Sequence, residues 1–360
     1  MRSMGDSWEM RNGLVIPNRS VLAAMTNKQS HHDGTLSEDE IDFLHRRSEG
    51  GFGIITTAAS HVQESGQGWD GEFGVWSDHH LPGLTTLATK LRGGESRSFV
   101  QLFHGGMRAP SAITGKQPCS ASENFISQKE GVSRALTTKE VEESVFAFIE
   151  AAKRCETAGF DGIELHGAHG YLIAQFLGSN TNRRNDRYGG NVQARCNFLI
   201  EIIRGIREVV SPQFAIMVRL SPVSDDIGIT LDDTKEVIDF LIKEEIDAIH
   251  ISCWDVFEVQ PNDNSITKEI CSMFSNSIPI VSTGSVWTAK DAQFVLNEGA
   301  QAVGVARVAL PHPDWAKQVL DAEYRPSQPP FTPEELLQAN LSPTFVEYMR
   351  RWKGFVTDGR

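Results

Sequence analysis

Cysteine is scarce in this chain of 360 residues and lacks pattern: Cys119, Cys155, Cys196, Cys253 and Cys271 are odd in number and never in CxxC spacing. That argues against a disulfide framework, a zinc ribbon or an iron–sulfur cluster, and leaves reduced, mostly buried thiols as the expectation. No long uncharged apolar run is present, so no membrane span is expected. The opening residues MRSMGDSWEM lack the apolar core of a signal peptide, which makes the cytoplasm the expected location. Basic residues are outnumbered, 34 against 47, for a formal net charge of −13. Such a surface repels phosphate backbones, and nucleic acid is not an expected partner. Low-complexity tracts are missing too, and 40% hydrophobic with 22% charged residues is ordinary globular composition.

What is present is a repeating order of short β-branched runs and amphipathic stretches. Eight strands are predicted: 19–25, 52–58, 98–104, 161–167, 214–220, 247–252, 278–284 and 302–307. Between them, Thr137 with Glu140, Thr230 with Asp233 and Thr288 with Asp291 carry the spacing of helix-capping pairs, and a helix over about 192–210 ends before Pro212. Strands that alternate with helices and read as apolar runs belong to a covered parallel sheet. Eight such units predict an α/β fold, a (β/α)8 TIM barrel. The lone GxGxxG match, Gly66 to Gly71, lies well beyond its nearest strand and leads into no amphipathic helix, so an open dinucleotide-binding sheet is not supported. One domain over 1–360 is expected, with the barrel core at about 19–320, a C-terminal tail from about 321 to 360, a short hairpin around Asn12-Gly13, and a long excursion over 105–133.

Barrel chemistry gathers at the carboxyl ends of the strands. Here these ends hold Met25-Thr26-Asn27, Ala58-Ala59-Ser60, Gln101 and His104, His166 with His169 and Tyr171, Arg219, Gly284-Ser285, and Ala306-Arg307. Small residues after strands seven and eight let backbone amides approach an anion, to which Arg307 adds charge; a surface ion pair for Arg307 is the competing reading. Arg219, inside an apolar strand, needs negative charge beside it, either from a ligand or from an acid such as Glu164. His166 and His169 could bind metal, as in a metal-dependent TIM-barrel hydrolase. No third ligand is evident, however, and two imidazoles can instead donate to one electron-rich oxygen, with Tyr171 as a nearby acid.

The stretch HGAHGYLIAQFLGSNTNRRNDRYGG, with AAMTN, GIITTAASHV, VQLFHGG, VRLSP, STGS and VARVALPHPDW in order along the chain, resembles the old yellow enzyme or NADH:flavin oxidoreductase family. The resemblance implies an FMN cofactor reduced by NADH or NADPH, and a small-molecule acceptor with an electron-poor C=C bond. It implies that Ala23, Ala24, Met25, Thr26 and Ala59 line the flavin, that Gln101 bonds its pyrimidine edge, that Arg219 faces N1 and O2, and that Gly284, Ser285, Ala306 and Arg307 hold the phosphate. It further implies that His166 and His169 hold the acceptor's oxygen and that Tyr171 donates the proton; no metal is implied. Direct reduction by the nicotinamide is expected, because no iron–sulfur cysteines follow the barrel. The chain departs from the family pattern at Ala58, Met107 and Ala306, where glutamate, arginine and glycine are common, and at Gly178-Ser179-Asn180. The TNRRNDRYGG segment is expected to knit a loop to the rim, and His31-His32 and His79-His80 to be solvated. Subunit number, a homo-oligomer included, stays open.

Overall fold

A computed structural model describes residues 2–358. Eight strands close into a parallel barrel: β1 Ser20–Leu22, β2 Ile54–His61, β3 Arg97–Phe103, β4 Gly162–Gly167, β5 Ala215–Leu220, β6 Ala248–Ser252, β7 Ile280–Thr283 and β8 Ala302–Val305. Each pairs with its sequence neighbours, and β8 returns to β1 through Gly304↔Val21. Strands covered on both faces must be apolar throughout, and β4, β5 and β6 are buried at every position. A small inner cluster of Val21, Ile54, Phe99, Ala215, Met217, Ala248, Val281 and Ala302 fills the barrel's lower end. The Asn12-Gly13 hairpin, pairing Trp8–Glu9 with Val15–Ile16, packs Trp8 and Ile16 beneath it.

Seven helices alternate with the strands: α1 Glu38–Glu49, α2 Leu81–Arg92, α3 Thr138–Ala158, α4 Val192–Val209, α5 Leu231–Ile242, α6 Ile266–Phe274 and α7 Ala289–Asn297. The three expected capping pairs form reciprocal boxes at the starts of α3, α5 and α7, each satisfying otherwise orphaned first-turn amides. All five cysteines are free and buried. No helix among the described residues is long and apolar enough to cross a membrane.

The 105–133 excursion holds more order than the sequence predicts. Cys119–Ser120 pairs with Arg134–Ala135, and Phe125–Ser127 with Gly131–Val132. It is tied to the segment after β4 as expected: Arg183 donates to Asn124 Oδ1 (3.0 Å), and Arg184 binds both Asp186 (2.6 Å) and the Ala121 carbonyl (3.0 Å). His80 departs from the expectation of solvation. It is buried because it leads into α2 and sets its ring edge-on to Trp76, with centroids 5.2 Å apart.

Candidate functional site

Two adjoining cavities open at the carboxyl ends of the strands. The inner one, ≈ 140 Å³, is bounded by Arg219, Ser252, Gly284, Ser285, Gly304, Ala306 and Arg307. The outer cleft, ≈ 600 Å³, runs from Ala24, Met25 and Thr26 past His169 and Tyr171 to Phe345, Tyr348, Arg351 and Trp352. Ser252, Ala306 and Arg307 line both. Sequence and shape agree at the inner cavity. Gly284 sits at φ 154°, and a Cβ there would fall 2.7 Å from the Cys253 carbonyl oxygen. Ala306 has φ −125° and ψ −86°, outside the regular helix and strand regions.

Of the residues singled out from sequence, Ala24, Met25, Thr26, His169, Tyr171, Arg219, Gly284, Ser285, Ala306 and Arg307 line these cavities. Ala23, Ala59, Gln101 and His166 are buried in the wall behind them. Gln101 is turned to an internal partner, donating its amide to Glu164 at 2.6 Å.

The turn after β4 places the imidazoles. His169 occupies the left-handed region at φ 59°, its amide held by Ser221 Oγ at 3.0 Å. The His166 and His169 rings stand perpendicular with centroids 5.1 Å apart, and Tyr171 lies 5.0 Å from His166. Burial, then neighbouring positive charges including Arg219 and Arg108, pushes both histidines well below the usual imidazole range, so both are neutral. His166 Nδ1 accepts the Ala168 N–H at 3.4 Å, which leaves its proton on Nε2 as a donor. Tyr171 is pushed up by burial and stays protonated. Its ring packs edge-on to Phe103 at 4.5 Å and beneath the Arg108 guanidinium at 5.1 Å.

Arg219 is nearly fully buried and finds no acid. Nη2 donates to Ser252 Oγ (3.1 Å), Nη1 to the Ala24 carbonyl (3.4 Å), and Nε has no partner. Glu164 is engaged elsewhere, by His250 Nδ1 at 2.6 Å as well as Gln101. Burial opposes its charge, but His250, Arg219 and Gln101 together hold it ionised, while burial keeps His250 neutral, with Nε2 bonded to Thr283 Oγ1 at 2.5 Å. An unsatisfied buried cation facing a cavity needs an anionic or strongly accepting ligand. The donor set thus fits an electron-rich planar ring beside Arg219 and an anion at the inner cavity. Among the described residues, no group of three or more His, Cys, Asp or Glu side chains is placed to hold a metal.

Sequence reasoning missed Ser252, whose hydroxyl bridges Arg219 and His169 Nε2 (2.9 Å). It ends β6, and reading that strand's end like the others would have found it. Arg108, in the excursion after β3, carries no local signal of its own, and Tyr348 and Arg351 were missed because nothing local says that the tail returns to the barrel mouth.

The family model described as the NADH:flavin oxidoreductase / NADH oxidase family matches residues 10–325. "Probable NADH-dependent flavin oxidoreductase YqiG" of Bacillus subtilis is 34% identical over 323 residues, covering 87% of each chain. An NADPH dehydrogenase of Clostridium acetobutylicum is 31% identical over 317 residues, covering 86% of this chain and 91% of its own. The old yellow enzyme homologue of Zymomonas mobilis superposes with a TM-score of 0.81 at 24% identity, over 93% of this chain and 96% of that one, a likeness of fold.

Proposed function

The chain belongs to the NADH:flavin oxidoreductase / NADH oxidase family, and from that premise we propose that it reduces activated, electron-poor C=C bonds. It is an FMN enzyme of the old yellow type with NADH or NADPH as electron donor. We read the whole chain as one domain, its tail completing the site. When bound, FMN would supply the hydride chemistry, with the acceptor's β carbon as the site that receives it.

The chain's own residues account for the rest. Gly284, Ser285, Ala306 and Arg307 would hold the phosphate at the inner cavity. Arg219 would face the ring's N1 and O2 with the unused Nε and its neighbours. Ala23, Ala24, Met25, Thr26 and Ala59 would line the ring, and Gln101 would reach its pyrimidine edge by leaving Glu164. His166 Nε2–H and His169 would hold the acceptor's carbonyl or nitro oxygen, where charge develops, and the Tyr171 hydroxyl would protonate the α carbon. Hydride and proton together account for both atoms added across the double bond.

The observation that carries this reading is that a neutral imidazole, His169, and a protonated tyrosine, Tyr171, line a cleft adjoining the cavity of an incompletely satisfied buried arginine, with the neutral His166 ring behind them 5.1 Å from His169 and 5.0 Å from Tyr171. Stopped-flow absorbance of Tyr171→Phe tests it. Reoxidation by an enone is expected to slow by about 10²-fold or more, and reduction by NADH far less; equal slowing of both steps removes Tyr171 as the proton donor.

A further inference from the structure

The reading above leaves the acceptor's chemistry open, and the charges around the cleft narrow it. The chain carries a net charge of −13, yet the mouth of the cleft is cationic. Arg108 and Arg351 line it, and Lys28 stands at its edge, 5.5 Å above the Tyr348 ring. Many arginines elsewhere find acids, as Arg46, Arg184 and Arg350 do, and others such as Arg11, Arg92 and Arg97 donate to backbone carbonyls; Arg108, Arg351 and Lys28 pair with no acid among the described residues and stand together at one cleft. Arg108 is braced by the His169 carbonyl at 2.5 Å and by the Tyr171 face, Arg351 by the Tyr348 hydroxyl at 2.8 Å and by that ring at 5.1 Å. These partners orient the guanidiniums without neutralising them. The single carboxylate lining the cleft, Asp226, accepts from Ser224 at 2.8 Å. Arg219 and Arg307 bound the inner cavity and are spoken for there.

Resting on the proposed reaction, we propose that the acceptor is an anion: an electron-poor alkene whose activating oxygen sits on His166 and His169 and whose other end carries a carboxylate gripped by Arg108 and Arg351. Two guanidiniums on one cleft can each donate to a carboxylate, and each charge-assisted bond adds specificity as well as affinity. The 4-oxo-2-enoic acids have this layout. The nicotinamide donor is also an anion, so the test separates the two.

Titration calorimetry on the FMN-loaded enzyme compares 4-hydroxybenzoate with its methyl ester, both of which place a phenol oxygen at the histidines. The acid is expected to bind about 10- to 100-fold more tightly at low salt, with the preference shrinking as salt rises. In the double variant Arg108→Gln, Arg351→Gln the ratio is expected to fall towards one, and Arg351→Lys is expected to retain part of it, which a merely structural role would not do. An ester bound as well as the acid, or a preference that survives the double variant, overturns the proposal. A double variant that keeps the ratio but raises the NADH concentration needed for half-maximal flavin bleaching assigns the mouth to the donor and also overturns it. If the ratio behaves as expected but 4-oxopent-2-enoate, its methyl ester and an uncharged enone all fail to reoxidise the reduced enzyme, the anion site stands and the alkene-reduction reading falls.

Discussion

A guanidinium buried without a contacting acid costs a folded chain stability when nearby charge and hydrogen bonds replace only part of its lost hydration. Arg219 is in this position, its pKa lowered by burial and its Nε unpartnered. Arg219→Met is therefore expected to leave the FMN-free protein as stable as the parent or more so, and to weaken FMN binding at least tenfold, about 1.4 kcal/mol. Urea midpoints of the stripped proteins and fluorescence titration with FMN check both halves. A stripped variant that unfolds at markedly lower urea would mean that the bonds to Ser252 and Ala24 outweigh the buried charge. At this scale the site was legible where residue type is decisive: an arginine inside an apolar strand, or two histidines with a tyrosine at a strand end. Ser252 carries a weaker signal, its place at the end of β6, since a serine there looks the same in sequence whether it bridges an arginine and a histidine or faces solvent. Glu164 was weighed as the partner of Arg219, and the fold gives it to His250 instead.

Between elements, the ladder itself sets a constraint. Thr283 on β7 lies opposite Gly304 on β8, and a Cβ on Gly304 would fall 1.8 Å from Thr283 Oγ1, the atom that bonds His250 Nε2. Gly304→Ala must push that threonine aside and break the chain from Glu164 through His250. Overpacking and the lost hydrogen bond together are expected to lower stability by about 2–4 kcal/mol, read as a reduced urea midpoint at unchanged slope. Adding Thr283→Ala removes the steric part, so the double variant is expected to recover some of the loss; a double variant worse than the single one contradicts the steric account. Elements were the most legible level, because strands buried on both faces and capping pairs leave local signatures, and α3, α5 and α7 start where those pairs stand. The small ladders of the 105–133 excursion left none. Their strands are two or three residues long and are held by tertiary bonds such as Asn124 Nδ2 to the Thr181 carbonyl at 3.0 Å.

Over the whole molecule, buried titratable groups set opposing pH demands. Burial lowers His61 and His80 to about 4 and His104 to about 3. The unfolded chain binds those protons from pH 6.5 downward and the folded one does not. Their contribution is therefore complete above 6.5 and is lost as pH falls towards 4, by about 1.4 kcal/mol per histidine per unit. Glu40 runs the other way. Burial raises it to about 7 against the hydrogen bonds from Asn27 and Ser30. The folded chain keeps that proton while the unfolded chain releases it above 4.5, so its contribution is full below 4.5 and lost as pH rises through 7. Burial also lowers His166, His169 and His250 and raises Glu72, so the buried histidines outnumber Glu40 and Glu72, and stability is expected to climb from pH 4.5 to about 6.5. Glu40→Gln removes its own part of the opposing slope. Measured against the parent by urea unfolding at pH 5 and pH 8, the glutamine variant should gain relative stability at the higher pH, by roughly 2–3 kcal/mol. A difference that does not change with pH would mean that Glu40 is ionised in the folded protein, with Asn27 and Ser30 stabilising its charge.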